Sequence, residues 1–202
     1  MRDSKFYTLL AAGAPRGANV STNTSPIKFK TDAAHGMVTG DTCQIFGHTT
    51  NISANGIWTV TLVDADEVYL DGSVGVGVGA NSGILVTPAP KVLDVQDFKT
   101  IVVTTRTDGG GDYAGIYKFV GSISEDMPNF GGTISTSNIW EYLDFVDIQS
   151  NTSIDGDTGV TVAGADDTRM FEVNVNGLKW FTVIHTDGSA GEITMEARLF
   201  AD

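Results

Sequence analysis

Residues 31–73 read TDAAHGMVTGDTCQIFGHTTNISANGIWTVTLVDADEVYLDGS, and the punctuation of this stretch decides the fold. Two turns open it, at His35-Gly36 and at Thr39-Gly40-Asp41. A short apolar run follows, Cys43-Gln44-Ile45-Phe46. Asn55-Gly56 then leads into Ile57-Trp58-Thr59-Val60-Thr61-Leu62-Val63, and Val68-Tyr69-Leu70 runs into a last turn at Asp71-Gly72. Turn dipeptides between short runs of β-branched and aromatic residues mark antiparallel hairpins, because Gly and Asn supply the backbone angles a reversal needs.

The same rhythm continues on both sides. Strands are expected at 6–10, 27–31, 42–46, 57–63, 68–71, 84–87, 98–107, 115–123, 139–148, 160–163, 170–175, 180–186 and 193–200. No segment has helical periodicity of useful length. Short strands at even spacing indicate a sandwich or a barrel. In the last strand Ile193, Met195, Ala197 and Leu199 share one face, while Thr194, Glu196 and Arg198 share the other. That alternation describes an antiparallel strand buried on one side.

The run Gly72-Ser73-Val74-Gly75-Val76-Gly77-Val78-Gly79 is too rich in glycine for a central strand. It reads as a flexible loop or irregular edge closing the first module. Pro88-Ala89-Pro90 is a stiff connector and places a boundary there. Thr107-Asp108-Gly109-Gly110-Gly111-Asp112 reads as a hairpin tip, and residues 124–138, with Pro128, as a long ordered loop.

Bulk composition narrows the class. The chain has 202 residues, 41% hydrophobic, 18% charged and 24 of them glycine, which suits one large or two small turn-rich β-domains. It contains no apolar run of about 20 residues, the length a membrane helix needs. Arg2 and Lys5 before an apolar stretch echo a secretory signal, but Asp3 and Tyr7-Thr8 interrupt it, so export by that route is not expected. The net charge of −13 repels phosphate backbones and argues against nucleic acid as a partner. A single cysteine, Cys43, excludes an internal disulfide and reads as a small buried hydrophobe within a strand.

Chemistry-bearing residues are scattered. His35, His48 and His185 lack the spacing of a metal pair and are expected to be structural. Asp155 and Asp157, in Ser153-Ile154-Asp155-Gly156-Asp157-Thr158-Gly159, are the best calcium candidates, though the distal ligands of an EF-hand loop are missing. Asx-turn capping accounts for the same pair. The acidic pairs Asp64/Asp66, Glu125/Asp126 and Asp166/Asp167 occupy turn contexts. Gly109-Gly110-Gly111 lacks the Lys-Ser/Thr of a phosphate loop. Trp58 and Trp180 lie in apolar strands, while Trp140 is the best of the three as a surface stacking platform for a sugar. No catalytic residue, cofactor or metal is assigned, and the chain is read as non-enzymatic.

Two segments carry a resemblance. The hairpin pattern of 31–73 resembles small β-modules of bacteriophage tail and virion proteins, themselves similar to a β-barrel half-domain of ubiquitin-activating enzymes. In the second half, Phe98-Lys99-Thr100, Phe119-Val120-Gly121-Ser122, Met127-Pro128-Asn129-Phe130, Asn138-Ile139-Trp140-Glu141-Tyr142, Ile154-Asp155-Gly156-Asp157-Thr158-Gly159 and the run from Phe171 to Trp180 follow in order. That order resembles a β-sandwich of tailed-phage virion proteins, head decoration proteins among them.

The resemblance implies an all-β chain: an antiparallel, jelly-roll-like β-sandwich with a small inserted or N-terminal β-barrel module. Residues 1–20 are expected to contribute a strand to the C-terminal sandwich, 21–90 to form the barrel, and 91–202 to form the decoration domain. It further implies a capsid decoration or cement protein on the outer surface of a virion, made in the host cytoplasm. Its partners would be the major capsid protein and further copies of itself, as a trimer, without nucleic acid or membrane. The alternative is a tail, baseplate or fibre component in host adsorption, possessing a glycan-binding surface.

Overall fold

One strand, β1 (Ser4–Ser21), belongs to two structures at once. The computed structural model describes residues 4–80, 82–107, 113–131, 139–163 and 167–201. After β1 come β2 (Ile27–Thr31), β3 (Thr42–Phe46), β4 (Gly56–Leu62), β5 (Glu67–Leu70), β6 (Gly79–Ala80), β7 (Ile84–Thr87) and β8 (Leu93–Asp94). The second half adds β9 (Thr100–Thr107), β10 (Ala114–Ser122), β11 (Glu141–Tyr142), β12 (Phe145–Asp147), β13 (Thr152–Ile154), β14 (Val160–Ala163), β15 (Thr168–Asn174), β16 (Trp180–Ala190) and β17 (Ile193–Phe200). The fold is all-β; its one helical feature among the described residues is a 3-10 turn, Ile52–Ala54.

The first half of β1 pairs antiparallel with β17, from Ser4 opposite Phe200 to Gly13 opposite Ile193. The register slips between Thr8 and Leu10 and again between Leu10 and Gly13, and Ala12 takes φ 49°. Such bulges kink a strand and increase its twist. Past them the same strand pairs with β7, from Ala14 opposite Thr87 to Gly17 opposite Ile84, and then with β2 and β6. The boundary expected at residue 20 therefore falls inside β1, and residues 6–10 lie against β17.

Hydrogen bonding runs β1–β2–β5–β4–β3–β7 and back to β1, closing a six-stranded antiparallel barrel. Closure leaves no free edge in this module. Its interior holds Ile27, Phe29, Cys43, Ile45, Val60, Val68, Leu70 and Leu85, all at 0% exposure. The turns read from the sequence deliver the reversals: Gly36, Gly40 and Gly72 all have positive φ, at 72°, 97° and 76°.

The second half forms two sheets. An outer sheet runs β13–β12–β15–β9–β17 and ends on the first half of β1. A second sheet runs β11–β10–β16–β8, with β14 also on β10. Ile101, Val103, Phe145, Phe171, Val173, Met195 and Leu199 of the outer sheet pack on Tyr117, Phe119, Phe181 and Val183. Edge-to-face rings dominate this core, with Phe119 and Phe145 centroids 4.8 Å apart and Phe145 and Phe171 5.3 Å.

The second sheet is a middle layer. Phe181, Thr182, Val183, Ile184 and His185 of β16 are all wholly buried, which explains why this segment does not alternate in polarity. One face fills the sandwich, and Ile184 on the other joins Val120, Phe130, Trp140 and barrel Phe46 in a cluster between the modules. Gln44 of β3 donates its side-chain amide to the carbonyl of Val183 at 3.1 Å.

Segment 139–148, expected as one strand, is two. β11 pairs with β10, while β12 pairs with β15 in the opposite sheet. The chain crosses between layers at Leu143 and Asp144, held by Leu143 N–H to the Phe119 carbonyl and by the Asp144 carboxylate on Gly156 N–H. The hairpin tip at 108–112 and residues 132–138 of the loop to Asn138 lie outside the described residues.

Candidate functional site

Most of the described residues singled out for chemistry are held by structural partners. Asp155 accepts the N–H of Asp157 on its carboxylate at 2.8 Å, and its carbonyl accepts from Thr158 and Gly159. This is an Asx turn, closed by Gly159 at φ 71°. The Asp157 carbonyl meets Lys118 Nζ. Asp64 caps Asp66 N–H, and Asp66 pairs with Lys30 at 3.0 Å. Glu125 pairs with Lys179 at 2.7 Å. Asp167 and Thr107 bond to each other, whereas Asp166 lies outside the described residues. Among the described residues no three His, Cys, Asp or Glu side chains converge as a metal site.

The histidines are buried. His48 Nδ1 lies 2.7 Å from the Ser82 carbonyl, which can only accept, so Nδ1 carries the proton and donates. Nε2 then accepts from the Ser21 hydroxyl at 2.6 Å. A serine donating to a histidine is the start of a nucleophilic pair. Here Ser21 has no exposed surface, and the backbone of Gly79 abuts the ring so closely that a β-carbon there would overlap it. Asn55 completes the arrangement, accepting His48 N–H and donating to the His48 carbonyl, both at 2.8 Å. The group ties the end of β1, the loop after β3 and the approach to β7 into one closure of the barrel. Burial holds the His48 imidazole below its ordinary pKa.

His185 meets the Tyr113 hydroxyl at 2.8 Å through Nδ1, and its Nε2 has no partner. Burial lowers its pKa to about 3. His35 accepts Met37 N–H on Nδ1 at 3.1 Å, fixing the turn after β2, and burial lowers its pKa too. Cys43 lies in the barrel core, where burial pushes the thiol far above its ordinary value. The thiolate is the reactive form, so Cys43 is inert in the folded chain.

The tryptophan singled out as a surface platform is buried. Trp140, the surface candidate, is 4% exposed and buried between the modules beside Phe130 and Phe46. It stands just before β11, which pairs beside β10 in the middle sheet. Trp58 and Trp180 are half-buried and donate to the carbonyls of Ala54 and Ser124.

A groove of about 680 Å³ lies where barrel and sandwich meet, with Arg16, His35, Asp41 and Glu192 on its walls. Arg16 is held by the carbonyls of Ala34 and Pro15, and Asp41 by Val38 N–H. These groups shape the groove but assemble no nucleophile with a base.

The surface itself is the stronger candidate. Val74, Val76 and Val78 are 63%, 61% and 65% exposed, with Ile52 at 51% nearby. The loop carrying them is pinned rather than slack. Its Val74 carbonyl accepts from Ser53 at 2.6 Å, Gly75 N–H donates to the Thr24 carbonyl, and Val76 N–H donates to Asn51 Oδ1 at 3.1 Å. A β-carbon on Gly75 would come 2.9 Å from the backbone of Asn23 and Thr24, so the glycine lets the loop lie flat on the barrel. Gly79–Ala80 then pairs with the end of β1. The irregular edge expected here is an organised one, with its valines turned to solvent. The alternation of Val and Gly was the available signal: apolar side chains with no neighbours large enough to cover them.

No family model matches this sequence, and no curated protein matches it. Among solved structures, the crystal structure of SPBc2 prophage-derived protein YomS is similar, with a TM-score of 0.37 at 11% identity, over 55% of this chain and 79% of that chain.

Proposed function

We propose that this chain is a non-enzymatic structural protein of a bacteriophage virion, a decoration or cement protein that binds the outer capsid face at subunit junctions. The observation that carries the reading is the pinned loop bearing Val74, Val76 and Val78. An exposed apolar patch on a folded chain marks a contact with another molecule. Holding the loop in place beforehand removes much of the ordering cost of binding. The segment 72–82 contains no charged residue, on a chain of net charge −13. Acidic surface elsewhere keeps copies soluble and away from packaged genome, while the neutral tip seats in an apolar hollow of the shell. Many weak contacts of this kind, repeated over a lattice, hold a particle firmly. The order of motifs along the chain supports the same reading.

The test is cosedimentation of purified protein with phage heads that lack it, with isolated tails as the control. Saturable binding to heads, with greater resistance of the heads to heat, is the expected result. Val76→Asp is expected to weaken that binding about tenfold or more without changing the fold. Binding to tails alone would move the protein to the adsorption apparatus, and binding to neither would overturn a virion role.

A further inference from the structure

The outer sheet leaves one face uncovered, and that face has a symmetric pattern. In register across five strands, Val146 lies beside Glu172, Glu172 beside Val102, Val102 beside Arg198, and Arg198 beside Phe6. The row reads apolar, acid, apolar, base, apolar, with Val102 at its centre. A second row runs Met170, Thr104, Glu196, Thr8, with Ile148 bonded to Met170 at its outer end. Phe6 is 62% exposed, and Val146, Ile148 and Met170 also stand open to solvent. Phe6, Val102, Met170 and Phe200 line a shallow groove of about 290 Å³ on this face.

The charges here depart from the rest of the chain. Arg106 and Arg198 balance Glu172 and Glu196 on a chain whose total is −13. Arg198 reaches the Ser4 hydroxyl at 3.1 Å and lies over the Phe200 ring. Glu172 stands two strands away, about 10 Å at ordinary strand spacing, beyond ion-pair distance.

We propose that this face binds a second copy of the chain about a twofold axis running parallel to β9 between the two sheets. Such an axis reverses the row. Val102 then faces Val102 of the second copy, Arg198 faces its Glu172, Glu172 faces its Arg198, and Phe6 faces its Val146. In the second row Thr104 meets Thr104 of the second copy, and Met170 meets its Glu196, which stays paired only at the rim of the contact with Arg106. Every charged residue of the central row gains an opposite charge, and the exposed aromatic gains an apolar cover. Arg106, near the end of β9, also lies on the axis and meets Arg106 of the second copy, with a Glu196 from each copy diagonal to it one strand over. Sheets that pack face to face keep their strands within about 30° of each other, as this axis requires. Five strands by seven residues span about 24 by 24 Å, roughly 580 Å² in projection against the ~800 Å² per partner of a standard interface. The resemblance implies a trimer, whereas this pattern complements itself in a pair. The inference concerns copies of one chain and holds whatever the protein's other partner, so its test needs no phage head.

Sedimentation equilibrium on the purified full chain should give a species of twice the 21.3 kDa of one copy. Arg198→Glu and Glu172→Arg should each weaken the pair about a hundredfold, because each sets like charges opposite one another. The double variant restores opposite charges at both positions and should recover the dimer. Val102→Lys, on the axis, should dissociate it independently. Circular dichroism spectra should stay unchanged in all four, since the positions face solvent, whereas the dissociated variants should lose the concentration dependence of melting temperature that a dimer gives the wild type. A wild-type monomer at the highest soluble concentration overturns the proposal. So does an oligomer indifferent to the single reversals, or a double variant that fails to recover.

Discussion

The ring of Phe46, at the end of a barrel strand, meets the edge of Trp140 from the sandwich half, with centroids 6.5 Å apart and planes inclined at 65°. This contact joins the two modules into one packed body. Trp140→Ala should therefore lower stability by about 3–5 kcal/mol, the usual range for emptying a buried tryptophan site. Trp140→Phe keeps most of the ring and removes an indole N–H that has no partner, so its cost should stay below about 1.5 kcal/mol. Urea denaturation of both variants measures this; equal, negligible losses would mean that the modules do not depend on the contact.

The Ser21–His48 pair predicts a stability effect without a catalytic one. Ser21→Ala leaves the buried Nε2 without a donor and should cost about 1–3 kcal/mol. Gly79→Ala should cost more, since its methyl group displaces the His48 ring and disturbs the bonds to Ser21 and Ser82 together. Thermal unfolding of the two variants gives the comparison. A smaller loss for Gly79→Ala would contradict the close approach.

Acid should destabilise the fold before its carboxylates begin to titrate. The buried His185 has a pKa lowered from 6.5 to about 3, so the unfolded chain takes up this proton first. Stability from the neutral ring is complete above about pH 6.5 and falls as pH drops towards about 3. Between pH 6.5 and 5 the slope should approach about 1.4 kcal/mol per pH unit from this group alone. His35 and His48, both lowered by burial, act in the same direction. Denaturant midpoints across that range should decline, and His185→Phe should flatten the decline. A flat wild-type profile would show that the ring is hydrated in solution.

Calcium removal tests the acidic loop. With Asp155 spent on Asp157 N–H and the turn closed by Gly159, chelator should leave the melting temperature unchanged. Asp155→Ala should cost about 0.5–1.5 kcal/mol through the lost cap, with or without calcium present. A melting temperature that falls with chelator in the wild type but not in Asp155→Ala would assign the loop to the metal instead.

Much of the architecture was legible locally. Gly36, Gly40 and Gly72 mark reversals because their positive φ is costly for other residues, and the alternation of 193–199 announces a strand with one covered face. The site residues were legible as types only. Asp155 and Asp157 look the same in sequence whether they hold calcium or cap a turn. Trp140 reads as exposed or buried according to what packs above it, here Phe130 and barrel Phe46.

Local chemistry was enough for the all-β class, the turn positions and the faces of most strands, because those depend on neighbours one to four residues away. It could not say that β1 leaves the sandwich for the barrel after Gly13, that His48 reaches Ser21, or that Val102 stands between Glu172 and Arg198. Those relations join residues far apart in the chain. Register and layer order set them, since a strand's partner is chosen by whichever arrangement buries its apolar face and pairs its backbone best.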